Sequence, residues 1–344
     1  MNNKNIQTYF DCGNSKIRAG VFNSNNQLNS FYNESKFLLN HLSLNDQILK
    51  IITSLEKDSN EYIDNVNLMI DSPKMLSIGI SISKKLDGSI LKQTDVQFLI
   101  QEAKQQISKN YRLQNIAHII INNYKINNVD YTVLPLEAKC FSISLDILFI
   151  CLPNEIVSNF KNIFSNFNIP INQIICSSYA KSINYKKNLN LNGNISFIDI
   201  GFDKTSIISF NNDHFISLDI LPIGGNHITK DISKILNIDE ERSESVKVNV
   251  AKDIEIQKNL NCSIKKIKKI ILARVEEILE LSIRSIKSNS FKDNSFKVFL
   301  TGNGSKVLNN IDKDKILILK DLNILEETME NICIFVTQFY LTVT

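Results

Sequence analysis

Three short stretches carry residues able to handle an anion. They are Asp11-Cys12-Gly13-Asn14-Ser15-Lys16, Asp199-Ile200-Gly201-Phe202-Asp203-Lys204-Thr205 and Thr301-Gly302-Asn303-Gly304-Ser305. Each follows a short apolar run. Each places small or polar residues where backbone N–H groups can converge on phosphate oxygens, because only a chain without bulky Cβ atoms closes that tightly. Asp11 and Asp199 stand at the ends of such runs, where a carboxylate can hold Mg²⁺ through its waters. Lys16 can neutralise phosphate charge. Taken singly, each stretch is also an ordinary β-turn. Taken in order, two turns that clamp a phosphate chain and a third for the nucleoside form one nucleotide site.

The elements that must position these turns repeat. Residues 8–22 read as strand, tight turn, strand. Residues 195–221 read the same way and continue through the polar tip Asn211-Asn212-Asp213 into a further strand. Strands are also expected at residues 28–32, Val66 to Ile70, Met75 to Ser83, Ile116 to Ile121, Tyr124 to Val129, Ile169 to Ile175, Val298 to Leu300 and Ile316 to Leu319. Ala138 to Ile150 turns wholly apolar, as a buried strand does. Helical spacing marks Leu44 to Leu55, Glu155 to Phe167, Tyr179 to Tyr185 and the run from Ile228. Thr94-x-x-Gln97 resembles a capping box ahead of a face formed by Val96, Leu99, Ile100, Ala103 and Ile107. Ser263 to Lys287 is the longest helix candidate, with one core-facing stripe from Ile264 to Ile286.

Composition removes several function classes. The 344 residues suggest two domains at about 150 residues each. Thirty-nine basic against 36 acidic residues give a net charge of +3, too balanced to imply nucleic acid. Cys12, Cys140, Cys151, Cys176, Cys262 and Cys333 form no C-x-x-C pair and read as reduced thiols of a cytosolic protein. Met1 to Gln7 has no apolar signal core, and no apolar run approaches the ~20 residues of a spanning helix. His41, His118, His214 and His227 share no ligand spacing. No nucleophile elbow is present.

The three turns resemble the phosphate and adenosine loops of the actin-like ATPase superfamily, and most closely those of the bacterial cell-division protein FtsA. Residues 11–16 are similar to that family's Asp-x-Gly-[ST]-[ST]-Lys loop, residues 199–205 to its Asp-x-Gly-Gly-Gly-Thr-Thr loop, and residues 300–305 to its Leu-Thr-Gly-Gly-x-Ser motif. Gly224-Gly225-Asn226-His227-Ile228-Thr229 and Asp231-Ile232 are similar to the stretch after its second loop, and Glu244 with Lys247 to its ribose- and base-contacting pair. Arg274 falls where the family often has Ile-x-x-Arg.

The resemblance implies an α/β, actin-like (ribonuclease-H-like) two-domain fold with an interdomain nucleotide cleft and an FtsA-type inserted α+β subdomain. The implied organisation is residues 1–83 and 151–190 for the first domain, 84–150 for the inserted subdomain, 191–320 for the second domain, and 321–344 for a helix returning to the first. It implies ATP and Mg²⁺ as cofactors. Asp11, Gly13, Asn14, Ser15, Lys16, Gly201, Phe202, Lys204 and Thr205 would lie at the phosphates, with Asp11 and Asp199 holding the metal through water. Gly224, Gly225, Asn226, Glu244, Lys247, Gly302, Asn303, Gly304 and Ser305 would surround the nucleoside. It implies a protein on the cytoplasmic face of the inner membrane at the division site, peripheral at most. Its partners would be the FtsZ C-terminal tail, copies of itself and other divisome proteins, and no nucleic acid.

Three departures bear on chemistry. Phe202 and Asp203 replace two glycines of the second loop, which adds bulk and a like charge beside phosphate. Ser177 stands where related filament ATPases use an acid to position water, so catalysis by Ser177 and Asp199 is expected to be slow or absent. The chain ends at Thr344 without a basic amphipathic helix, and residues 325–341, with no Lys or Arg, read as a last core helix. Lys258, Lys265, Lys266, Lys268 and Lys269 form either a solvated helix end or a face that steers the acidic FtsZ tail. The rival readings are an actin-like scaffold of a pilus or secretion system, a small-molecule kinase on the same core, and a scaffold that has lost nucleotide.

Overall fold

The computed structural model describes residues 6–23, 28–35, 43–212, 214–249, 263–288, 296–310 and 323–325. Two five-stranded sheets share one strand order. The first contains β1 (Gln7–Cys12), β2 (Lys16–Phe22), β3 (Leu28–Ser35), β4 (Val66–Ile70) and β9 (Ile171–Cys176), arranged β3-β2-β1-β4-β9. The second contains β10 (Asn194–Ile200), β11 (Thr205–Asn211), β12 (His214–Leu221), β13 (Lys297–Thr301) and β14 (Asn323–Ile324), arranged β12-β11-β10-β13-β14. In both, the first three strands run antiparallel and the remainder pair in parallel. The repeated hairpin of the sequence is therefore the start of a repeated sheet.

A third sheet lies between β4 and β9 in the chain. It is made of β5 (Leu76–Lys85), β6 (Gln114–Ile126), β7 (Val129–Tyr131) and β8 (Ser142–Pro153), in the order β5-β8-β6-β7. Helix α2 (Gln93–Asn110) buries Val96, Leu99, Ala103 and Ile107 against it. The expected cap at Thr94 lies inside this helix. The helix is capped two residues earlier, where the Lys92 backbone N–H donates to Asp95 Oδ2 at 3.0 Å. The two short strands expected near residues 116–129 are instead one long β6. Register irregularities at Ile116/His118 and Ile121/Asn123 interrupt the alternation that would have marked it as continuous.

The remaining helices are α1 (Leu44–Ser59), α3 (Asn154–Asn166), α4 (Ser177–Asn188), α5 (Gly225–Leu236), α6 (Glu240–Asn249) and α7 (Ile264–Ser288). The α7 stripe buries Ile267, Ile270, Ile271, Val275, Ile278, Leu279 and Ile286, and Arg274 leaves the stripe to pair with Asp231 of α5 at 2.7 Å. Asp231 donates no proton there; it accepts from the guanidinium and raises the Arg274 pKa. Lys265, Lys266 and Lys269 are exposed at the start of α7, while Lys258 lies outside the described residues. So do the strand expected at Ile316 to Leu319 and, beyond Leu325, the apolar segment expected to form the last helix. Among the described residues, no helix is long and apolar enough to cross a membrane.

One core joins the first sheet to one face of the second. It includes Phe10, Cys12, Leu68, Ile195, Phe197, Phe210, Phe215 and Phe299. The opposite face of the second sheet, through Ile198 and Ile200, packs on α5, α6 and α7. Strand parity then decides where the acids emerge, since alternate residues share a face. Asp199 lies on the face of Ile195 and Phe197, toward the first sheet. Asp11 shares the face of Tyr9, which packs with Phe22, Met69, Ile175 and Ala180 of α4.

Candidate functional site

A cleft opens where the carboxyl ends of β1, β4 and β10 meet the start of α4. It is lined by Asp11, Gly13, Asn14, Ser15, Lys16, Arg18, Asp71, Pro73, Ser177, Lys181, Asp199, Gly201, Phe202, Asp203, Lys204, Gly302 and Asn303. Residues from all three sequence turns therefore meet at one place, 189 positions apart in the case of Asn14 and Asp203. The acids in it are not free. Asp11 and Arg18 face each other across β1 and β2, and the guanidinium donates twice to Asp11 Oδ2, through Nη2 and, at 3.0 Å, through Nε. Ser177 Oγ donates to Asp11 Oδ1 at 2.7 Å. Lys181 Nζ, one turn along α4 from Ser177, donates to Asp199 Oδ2 at 3.1 Å. Lys204 Nζ lies 3.0 Å from Asp71 Oδ2 and also donates to Ser206 Oγ. Burial pushes the Asp71 carboxyl up, but Lys204 and Lys181 outweigh it and hold the group below the usual carboxylate range.

The two phosphate-type turns are tied together by Asp203. Its Oδ2 accepts from Asn14 Nδ2 at 2.6 Å and its Oδ1 from Asn226 Nδ2 at 3.0 Å. Sequence reasoning marked Asp203 as a repulsive neighbour of phosphate; here a carboxylate occupies the space between the turns. The backbone donors at the start of α5 are also committed. Gly225 N donates to Gly201 O at 2.9 Å and Asn226 N to Phe202 O at 2.7 Å.

The residues expected around a nucleoside lie behind the second turn and do not line the cleft, apart from Gly302 and Asn303. Thr205, expected at the phosphates, does not line the cleft either, and its Oγ1 donates to Ile223 O at 2.7 Å. Lys247 Nζ donates to Gly225 O at 3.0 Å, Thr229 Oγ1 at 2.9 Å and Glu244 Oε2 at 2.6 Å, which uses all three ammonium protons. Burial lowers the Lys247 pKa against the opposing pull of Glu244. Ser305 Oγ donates to Gly302 O at 2.7 Å. Gly224 and Gly304 are required by close backbone packing: a Cβ would meet Gly201 O at 2.7 Å in the first case and Ile200 O at 2.7 Å in the second.

Gly302 makes the strongest demand. Its φ is +90°, and a Cβ there would stand 2.4 Å from both Asp199 Oδ1 and Ile200 O. Gly302→Ala should therefore destabilise the fold by about 2 kcal/mol or more, from left-handed strain and the clash together. A urea midpoint equal to that of the parent protein would contradict this.

Arg18, Asp71 and Lys181 belong to the cleft but were not singled out by sequence reasoning. Arg18 was detectable as the cross-strand partner of Asp11 once the hairpin register was drawn. Lys181 was detectable as Ser177 plus four on a helix. Asp71 had no comparable signal, since an Asp after an apolar run and before Pro73 looks like an ordinary loop start.

Mg²⁺ does not fit this arrangement. Asp11 and Asp199, the two expected ligands, each already hold a side-chain cation. Among the described residues, no group of three His, Cys, Asp or Glu side chains forms a possible metal set. A phosphate group at the glycine turns would compete with Asp203 for Asn14.

Residues 196–314 match the family model of cell division protein FtsA. Over 123 residues the chain is 34% identical to the cell division protein FtsA of Bacillus subtilis (strain 168), a match covering 31% of this chain and 28% of that relative. In three dimensions it is similar to a chain of the PilM–PilN type IV pilus biogenesis complex, with a TM-score of 0.67 and 13% identity over 93% of this chain and 88% of that one. It is also similar to the ethanolamine utilization protein EutJ of Carboxydothermus hydrogenoformans, with a TM-score of 0.51 and 11% identity over 96% of this chain and 89% of that one. At these identities the structural likenesses are of fold alone, and the fold is actin-like: two α/β halves around a cleft, with a third sheet set between strands of the first.

Proposed function

Taking the likeness of residues 196–314 to cell division protein FtsA as premise, we propose that the chain is an actin-like cell-division protein that acts as a scaffold. In this reading it assembles with copies of itself, holds the C-terminal tail of FtsZ and recruits later divisome proteins at the inner face of the membrane, as a peripheral protein. The family match is the single observation that carries the reading. The exposed lysines at the start of α7, Lys265, Lys266 and Lys269, suit an acidic tail peptide.

ATP is the ligand class proposed for the cleft, bound at the turns of residues 11–16 and 199–205 and displacing Asp203 from Asn14. Its role is conformational, favouring one arrangement of the two halves by its differential affinity for it. Hydrolysis is not part of the proposal. Ser177 has a hydroxyl where an acid would be needed, and that hydroxyl is spent on Asp11.

An immobilised FtsZ tail peptide should retain the protein from solution, and charge reversal at Lys265 and Lys266 should weaken that retention several-fold. Retention by a short N-terminal peptide of a pilus membrane protein, with none by the FtsZ tail, would overturn the division reading in favour of a pilus scaffold.

A further inference from the structure

We propose that this cleft carries its own cations in place of a divalent metal, and that its two halves close without one. The case rests on cleft geometry and stands whether or not the division role is correct. Four acids, Asp11, Asp71, Asp199 and Asp203, line the cleft beside four bases, Lys16, Arg18, Lys181 and Lys204. Mg²⁺ beside phosphates is held by one or two carboxylates and keeps several of its waters, so it needs carboxylate oxygens that are not already spent on side-chain cations. Here Arg18 covers one oxygen of Asp11 and Ser177 the other, while Lys181 holds Asp199. All four of these charged side chains are less than a tenth exposed.

The arrangement also does mechanical work. Asp71 follows the end of β4 in the first sheet, and Lys204 lies in the turn after β10 in the second. Their ion pair, the Lys181–Asp199 pair and the Asn14–Asp203 hydrogen bond all join the first-sheet side to the second-sheet side. A nucleotide with its metal would make such a bridge from outside the chain; here the bridge is covalently part of it. Each such pair adds little net stability, because the cost of desolvating two charges offsets their attraction, but removing one partner leaves a buried charge uncompensated.

The test is thermal unfolding of the full chain in EDTA and in millimolar Mg²⁺, each with and without ATP. The parent protein should melt at the same temperature in EDTA and in Mg²⁺. In R18M/K181M two buried carboxylates lose their cations, so that variant should melt lower in EDTA and recover in Mg²⁺. K181M/D199N, which removes both members of one pair, should fold and show no response to Mg²⁺. A parent protein stabilised by Mg²⁺ in the absence of ATP would overturn the inference, and so would R18M/K181M that folds yet ignores the metal. If R18M/K181M does not fold, the parent protein and K181M alone decide in the same way. Calorimetry with ATP in EDTA and in Mg²⁺ separates this from the functional reading: no heat in either buffer removes ATP as the ligand but leaves the metal question to the melts.

Discussion

Replacing Lys204 by methionine should cost the folded protein about 3–5 kcal/mol at neutral pH. The methionine fills similar volume, so the loss is electrostatic: Asp71, whose side chain is only 14% exposed beside Lys204 at 3.0 Å, is left with its desolvation cost and a weaker partner. Proton linkage sharpens the expectation. The Asp71 pKa is held below its ordinary value in the fold, so its contribution is complete above the unfolded value of about 4 and is lost as pH falls through the folded pKa. Without Lys204 the same carboxyl prefers its proton, and the gap between variant and parent should narrow in acid. Urea unfolding of both proteins at neutral and acidic pH measures this, and K204M/D71N should recover much of the loss. A deficit under about 1 kcal/mol at neutral pH would mean that the pair is solvated and weak.

His118 should govern the next part of the pH profile. Burial lowers its pKa from 6.5 to about 4, against a smaller opposing pull from Asp71. Nε2 accepts a hydrogen bond from the Cys176 backbone N–H at 2.8 Å, so the fold requires the unprotonated nitrogen. The unfolded chain takes up a proton below about pH 6.5 and the folded chain does not. Stability should therefore be full above that pH and fall by about 3 kcal/mol as pH drops toward 4. His118→Gln keeps an acceptor but no titrating group, and its stability should be flat across the same window. Parallel slopes for parent and variant would exclude His118 as the source. The consequence reaches the cleft, because Cys176 directly precedes Ser177, whose hydroxyl is bonded to Asp11.

The architecture was legible where one residue pattern carried one meaning. The two Asp-x-Gly hairpins declared a repeat, and the structure shows matching sheets. Leu44 to Leu55 was helical by spacing, and the helix there buries Ile48, Ile51, Ile52 and Leu55. Strand β6 reads along the sequence as two pieces, because its irregular register disguises its period. The cleft was legible at its turns but not in its charge balance. Glycine turns are local and can be read along the chain. Arg18, Asp71 and Lys181 acquire meaning only through a cross-strand register, a strand end and a helix placed against a second sheet, which are products of tertiary packing. Asp203 shows the same limit from the other side. Its type departs from the glycine that a phosphate loop would carry, yet only the approach of Asn14 and Asn226 gives it a partner.

The order of strands in the first sheet has a consequence for how the chain assembles. β9, at Ile171–Cys176, pairs with β4, at Val66–Ile70, so that sheet waits for a strand synthesised some hundred residues later. The third sheet is contiguous from Leu76 to Pro153 and needs nothing outside itself for its pairings. On the ribosome it can finish while the edge of β4 is still open, which makes it an early folding unit inside a late one. β4 is wholly buried in the finished molecule and reads Val-Asn-Leu-Met-Ile. Its edge, unpaired until β9 arrives, is during that interval an apolar strand edge open to mispairing.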